Sequence, residues 1–117
     1  MFAVIFEVTP TQQGKPEYLK IAGEIRGFLE NRAGFISIER FESLVHEGKL
    51  LSLSFWETEE AIAEWRNLLE HRMAQKEGKE TLFASYRIRV AKITRDYTHD
   101  ARKEAPVDSN HLLLKEV

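Results

Sequence analysis

The chain of 117 residues has no cysteine, only three prolines and six glycines, and no long apolar run. Without cysteine it cannot form a disulfide scaffold, use a thiol nucleophile or bind a metal through thiolates. No segment approaches the roughly 18 consecutive apolar residues of a membrane-spanning helix. The start MFAVIFEVTP also lacks the basic region and small-residue cleavage site of a signal peptide. We therefore expect no membrane partner and a cytoplasmic location.

Neither sign of charge predominates, because 17 basic and 19 acidic residues are interspersed and give a net charge of −2. Binding to nucleic acid needs a clustered basic face, so a nucleic-acid partner is not expected. The sequence has no phosphate-binding glycine loop, dinucleotide fingerprint or serine nucleophile elbow. Its four histidines show no metal-ligand spacing. These absences predict a protein without a bound cofactor or metal.

What is present is a regular alternation of apolar strand and helix patterns. The patterns predict strands at residues 2–9, 35–44, 50–57 and 84–97. They predict one helix that begins at Pro16 and stops near residues 31–34, and a second from Thr58 to about Lys76. Gly34 and Gly78 are interpreted as helix ends, and Thr58 as an N-cap. The β-α-β-β-α-β order predicts an α+β, ferredoxin-like domain over residues 1–97, with two helices on one face of a four-stranded antiparallel sheet.

The first strand is apolar on both faces, since Val4, Phe6 and Val8 alternate with Ala3 and Ile5. Two helices cover only one face of the sheet, so a second copy of the chain is expected to cover the other. This predicts a homodimer. Residues 98–117 are polar apart from Leu112, Leu113 and Leu114. They form either a mobile tail or a segment that docks on the partner subunit.

The second predicted helix carries an apolar stripe that includes Trp65 and Leu68 and continues into Arg72. Arg72 either extends into solvent at the helix end or faces a pocket, where it contacts an anionic or phenolic oxygen. Trp65 is either core or the wall of a pocket for a ring-shaped ligand. Trp56 lies near a strand end and suits a pocket rim or a dimer edge equally well.

Asn67, His71 and Gln75 form one column on the same helix. The column is either a solvated face or a pocket edge where His71 accepts a proton. On the last strand, Tyr86 could present its hydroxyl to a ligand. Arg87, Arg89 and Arg95 share the other parity and indicate an edge or inter-subunit charge network, with Glu39, Arg40 and Glu42 as candidate partners.

Three segments carry a resemblance to a known family: GFISIERFES, LSLSFWETEEAIAEWRNLLEHRMAQ and YRIRVAKITRDY. Together with the element order, they make residues 2–97 similar to the antibiotic biosynthesis monooxygenase family. The resemblance implies a dimeric α+β barrel with a pocket between sheet and helices. It also implies oxidation of a small aromatic phenol or quinol by molecular oxygen, without metal or flavin. The residues that could serve this chemistry are His71, Arg72 and Tyr86 as catalytic groups and Trp65, Trp56, Asn67, Leu68 and Gln75 as substrate-binding groups.

Relatives of the same fold bind and degrade haem with an Asn on the first strand, a Trp on the second helix and a His ten residues later. The matching positions here are Glu7, Trp65 and Gln75. Two of the three differ, so haem degradation is disfavoured, although His71 lies one turn before the ligand position. The expected function is a cofactor-independent monooxygenase. The alternative is a non-catalytic, ligand-binding or stress-related dimeric module.

Overall fold

The computed structural model describes residues 1–76 and 82–113. In this part of the chain the elements are β1 (Phe2–Pro10), α1 (Lys15–Leu29), β2 (Phe35–Glu42), β3 (Leu50–Trp56), α2 (Glu59–Lys76), β4 (Phe83–Lys92) and α3 (Val107–Leu113). The four strands form one antiparallel sheet in the order β2-β3-β1-β4. This order confirms the predicted ferredoxin-like β-α-β-β-α-β fold. No helix in these described ranges is both long and apolar enough to cross a membrane.

Local sequence explains both long helices. Helix α1 has proline in its first turn and buries Tyr18, Ile21, Ile25 and Leu29 at three- and four-residue spacing. Helix α2 begins after Thr58, whose Oγ1 accepts a hydrogen bond from the amide of Ala61 at 3.2 Å. This bond confirms the predicted N-cap.

The prediction that Gly34 ends α1 is wrong. The helix ends at Leu29, and Asn31 takes the left-handed backbone conformation with φ of 68°. Gly34, with φ of 86°, lies instead in the turn before β2. A Cβ there would lie 2.8 Å from the Cβ of Ala61, so the position needs glycine for space as well as for conformation. Gly78, the other predicted helix end, lies outside the described residues.

The helices cover the sheet face that carries Val4, Phe6 and Val8 of β1, all fully buried. Residues directly opposite each other in paired strands share a face, and Phe6 lies opposite Ser52 of β3. The serine-bearing face of β3 therefore points into the core. The buried Trp56 indole N–H donates to Ser54 Oγ at 2.8 Å, which satisfies both polar groups.

The other sheet face, called the outer face below, carries the more apolar set of β3 residues. Leu51, Leu53 and Phe55 are partly exposed there, next to Ile5 of β1. Beside them, the Glu7 carboxylate contacts Lys49 Nζ and Arg89 Nη1, each at 2.6 Å. The outer face is thus an apolar patch with an ionic cluster at its side.

Two predicted strands are shorter than expected. Strand β2 ends at Glu42, not at residue 44, and β4 ends at Lys92, not at Tyr97. The reason for the second difference is that Lys92 lies opposite Phe2, the first residue of β1, so no partner strand continues. The last bond runs from the Ile93 amide to the Met1 carbonyl at 3.0 Å. Arg95 consequently lies beyond the strand that carries Arg87 and Arg89.

The C-terminal segment folds on itself. Arg102 donates from Nε to Asn110 Oδ1 at 2.8 Å and from Nη2 to Ser109 Oγ at 2.7 Å. This network orders the short helix α3, which the sequence patterns did not predict. The radius of gyration is 17.6 Å, whereas a compact chain of this length has about 13 Å. Leu112 and Leu113 are mostly exposed, and Leu114 lies outside the described residues.

Candidate functional site

A small cavity lies between the two long helices and the covered face of the sheet. The residues that border it include Phe6, Tyr18, Ala22, Arg40, Ser52 and Trp65. Its volume is about 20 Å³, which is room for about one water molecule. The cavity is therefore almost completely filled by the side chains around it.

Three aromatic rings border the cavity, those of Phe6, Tyr18 and Trp65. The Phe6 ring meets the Trp65 ring edge to face, with centroids 5.9 Å apart, and the Tyr18 ring at 6.4 Å. Phe6 and Trp65 are almost fully buried. Edge-to-face packing of this kind fixes ring orientation, so the wall is both apolar and rigid.

Besides Ser52, two polar side chains border the cavity from opposite layers: Tyr18 of α1 and Arg40 of β2. Arg40 lies on β2 opposite Ser52, and its guanidinium carbon is 5.7 Å from the centroid of the Tyr18 ring. Burial raises the pKa of the Tyr18 phenol above its ordinary value, while the charge and the hydrogen bonding of the Arg40 side chain act in the opposite direction. The phenol is therefore protonated at neutral pH and can donate a hydrogen bond.

Neither residue was predicted as part of a site. The sequence patterns do not single out Tyr18, and they assign Arg40 to an edge or inter-subunit charge network. One pattern in β2 could have indicated the position of Arg40. Arg40 and Ile38 lie on the same side of the strand, and they pair with Ser52 and Ser54 of β3. Which face of β3 points inward becomes clear only from the register of the assembled sheet.

Of the predicted substrate-binding residues, Trp65 borders the cavity. Trp56 is fully buried beside it, with ring centroids 6.3 Å apart, and packs on Phe35 at 5.1 Å. It therefore lies in the core, away from any rim or edge in the single chain. Leu68 is partly buried against the core.

Two of the predicted polar residues of α2 lie on its exposed surface. Asn67 and His71 are exposed. The Arg72 guanidinium forms an ion pair with the Glu24 carboxylate of α1 and so links the two helices. The side chain of Gln75 lies outside the described part of the structure. The roles assigned to these residues stay predictions.

Tyr86 lies on β4 opposite Val8 and is half-exposed. Its ring packs on Phe6 at 5.9 Å and on Phe83 at 5.6 Å. It also borders an open groove of about 440 Å³ that includes His46. Tyr86 is thus separated from the small cavity by the Phe6 ring.

A second open groove, of about 270 Å³, lies on the outer face and is bordered by Ile5, Phe41 and Leu51. Glu7, the position that corresponds to an Asn in haem-degrading relatives, also lies on the outer face and is held by Lys49 and Arg89. Within residues 1–76 and 82–113, no group of three or more His, Asp or Glu side chains is placed to hold a metal ion.

Comparison with known proteins identifies the family to which the chain is similar. A family model described as antibiotic biosynthesis monooxygenase matches residues 1–77. The jasmonate monooxygenase ABM of Pyricularia oryzae is 43% identical over 94 residues, which are 80% of this chain and 44% of that protein. The chain thus spans less than half the length of this relative. YqjZ of Bacillus subtilis, a protein without a characterised function, is 29% identical over 94 residues and 80% of each chain.

Solved structures agree on the fold. An antibiotic biosynthesis monooxygenase-type protein of Deinococcus radiodurans superimposes with a TM-score of 0.68 over 84% of this chain and 97% of that one, at 12% identity. At this level of identity the similarity establishes the fold alone.

Proposed function

Since the chain belongs to the antibiotic biosynthesis monooxygenase family, we propose that it oxidises a small aromatic molecule with molecular oxygen in the cavity between the helices and the sheet. The observation that carries this proposal is the aromatic wall of the cavity, formed by Phe6, Tyr18 and Trp65. Flat rings of this kind suit a flat phenol or quinol, and their burial excludes water from the reaction.

In the proposed reaction, the substrate supplies the electrons. Loss of a proton from an activated CH₂ group beside a phenol gives a carbanion that reduces oxygen. One oxygen atom then enters the product as a carbonyl, and the other leaves as water with the two hydrogens of the CH₂ group. The protein must hold the ring, stabilise the anion and keep water out. Trp65 is suited to holding the ring, and the protonated Tyr18 hydroxyl can help to stabilise the anion.

The roles of His71 and Arg72 as base and cation remain proposals. His71 is exposed on α2, and Arg72 is paired with Glu24. Neither residue borders the cavity, so a catalytic role there requires a change in the position of the side chain or of the helix. Alanine variants of both residues test this directly, because loss of turnover with unchanged ligand affinity would support their catalytic roles.

Oxygen uptake is the test of the activity. The panel should contain anthrone- and quinol-type compounds, and jasmonate because of the Pyricularia relative. We expect uptake with at least one compound, and its loss in Ala22→Leu, which fills the cavity. Ala63→Leu, at a partly exposed position of α2, is the matched control. No uptake across the panel by folded protein would contradict the proposal.

A second candidate function is a binding module without catalysis. The positions of His71 and Arg72 favour it, because His71 is exposed and Arg72 is paired with Glu24, and neither side chain borders the cavity as a base or cation would. Under this alternative, a ligand from the panel binds without oxygen uptake, and His71→Ala and Arg72→Ala leave its affinity unchanged. Oxygen consumption that depends on either residue would rule it out.

We also propose that the outer face forms a homodimer interface, since Leu51, Leu53 and Phe55 are otherwise left partly exposed. Leu53→Lys should convert a dimer to a monomer in analytical ultracentrifugation. Leu19→Lys, on the exposed surface of α1, should leave the dimer intact. A monomeric wild-type protein would contradict this proposal.

The C-terminal segment is proposed to dock on the second copy. It is internally ordered by Arg102 and exposes Val107, Leu112 and Leu113. An ordered segment with exposed leucines gains stability from a second apolar surface. Truncation after residue 97 should weaken dimerisation, and an unchanged dimer dissociation constant would show that the segment docks elsewhere.

A further inference from the structure

Arg40 is the one charged side chain among the described residues that border the small cavity. It lies on β2 opposite Ser52, on the sheet face covered by the helices. Its guanidinium carbon lies 5.7 Å from the Tyr18 ring centroid. A permanent cation therefore faces a cavity that is otherwise neutral and aromatic.

The Arg40 Nε atom is buried and has no hydrogen-bond partner within residues 1–76 and 82–113. Buried donors in native proteins are nearly always paired, so an unpaired one calls for a functional explanation. No carboxylate is among the described residues that border the cavity. The Nε–H is therefore open to an acceptor from outside this part of the chain, such as a water molecule or a ligand oxygen.

The Nε and Nη groups of arginine present two parallel N–H bonds, which match two neighbouring anionic oxygens. The cavity has room for about one water molecule, which is close to the space of one such oxygen atom. Arg40 lies on an edge strand, so no further strand covers its outer side. A ligand can therefore place its oxygen in the cavity if side chains along this edge move aside.

We propose that Arg40 anchors a subsite for the anionic oxygen group, a carboxylate or an enolate, of a flat apolar ligand whose body lies against Trp65 and Phe6. This inference deepens the proposed function and rests on the same cavity. It concerns binding, however, and holds whether or not the bound ligand is oxidised.

Isothermal titration calorimetry with two pairs of probes tests the subsite. The first pair is 1-naphthoate and 1-naphthamide, which differ in the carboxylate charge. The second pair is 2-hydroxy-1,4-naphthoquinone, ionised at neutral pH, and its neutral 2-methoxy analogue. We expect the ionised member of at least one pair to bind about tenfold or more tightly than its neutral partner. The pair that shows the preference identifies the oxygen group.

Variants at position 40 provide the second half of the test. Arg40→Met should abolish the preference for the ionised probe and leave the affinity of the neutral probe unchanged. Arg40→Lys should restore part of the preference, because it keeps the charge without the planar donor pair. Arg66→Met, which removes an exposed arginine of α2, should change nothing. The same preference in wild type and Arg40→Met, or no preference in either pair, would overturn the subsite.

Oxygen uptake measured on the same samples separates the two proposals. Arg40-dependent binding of the probes, without oxygen consumption for any compound of the anthrone, quinol and jasmonate panel, would refute the monooxygenase and leave the subsite standing. Oxygen consumption that is insensitive to Arg40→Met, with no charge preference in binding, would refute the subsite alone.

Discussion

Replacing Arg40 by methionine is predicted to stabilise the ligand-free domain. In the wild type, a buried and charged Nε–H has no acceptor, and such an orphan donor costs about 1–3 kcal/mol. Methionine is unbranched like arginine and brings no donor, so this cost disappears. The interaction of the cation with the Tyr18 ring, at 5.7 Å, is lost at the same time and is worth about 0.5–1 kcal/mol.

The difference between these terms is a gain of up to about 2.5 kcal/mol in the free energy of unfolding. For a domain of this size, each kcal/mol raises the melting temperature by about 4 °C. Urea unfolding followed by circular dichroism, at one protein concentration, measures the free energy through the midpoint. A gain in stability combined with a loss of ligand binding would show that Arg40 is kept for function.

The matched control is Arg66→Met on α2. Arg66 pairs with Glu70 at 3.2 Å on the exposed helix surface, so its loss should lower stability by about 0.3–0.5 kcal/mol. If Arg40→Met lowers stability by more than this control does, Arg40 stabilises the fold. The reasoning from the unpaired Nε would then be refuted.

Three further predictions concern other parts of the structure. Ser54→Ala leaves a buried indole N–H without its acceptor and should cost about 1–3 kcal/mol. Ser37→Ala, on the exposed side of β2, should stay within about 0.5 kcal/mol of wild type. Gly34→Ala should cost more than Gly48→Ala, because both have positive φ but only the first brings a methyl group against a neighbour at 2.8 Å. Hydrogen bonds from Lys49 and, with a smaller effect, from Arg89 hold the pKa of Glu7 below its ordinary value of 4.5. This stabilisation is present above that value and is lost as the pH falls through the folded-state pKa, so Glu7→Gln should flatten the acid limb of the stability curve.

Each of these predictions has a clear contrary result. Equal unfolding midpoints for the two serine variants would show that the indole finds another acceptor. Equal losses for the two glycine variants would show that the neighbouring side chain moves aside without cost. An unchanged pH dependence in Glu7→Gln would assign the acid limb to other carboxylates.

The fold could be predicted from sequence because its signals are local. The alternation in β1, the apolar spacing of α1 and the Thr58 cap of α2 each act within a few residues. The end of β4 could not be predicted, since it depends on where β1 begins on the neighbouring strand. The left-handed residue after α1 was also missed, because Asn31 and Gly34 can both adopt that conformation.

The candidate site was harder to predict because it depends on packing between elements. Arg72 does follow the apolar stripe of α2, but the position of α1 decides that it meets Glu24. Arg40 has a conventional strand position, and only the register with β3 turns it towards the aromatic wall. Trp65 was identified because its helical stripe alone requires an inward position.

The most direct test of the central claim is isotope labelling of the product. For a substrate that gives oxygen uptake, the reaction is run under ¹⁸O₂ in ordinary water and under ordinary oxygen in H₂¹⁸O, with the product analysed by mass spectrometry after rapid quenching. We predict that one ¹⁸O atom enters the product from ¹⁸O₂ and none from water, and that Ala22→Leu abolishes the labelled product. Label that comes from water, or a labelled product formed equally well by the cavity-filled variant, would contradict a monooxygenase that works in this cavity.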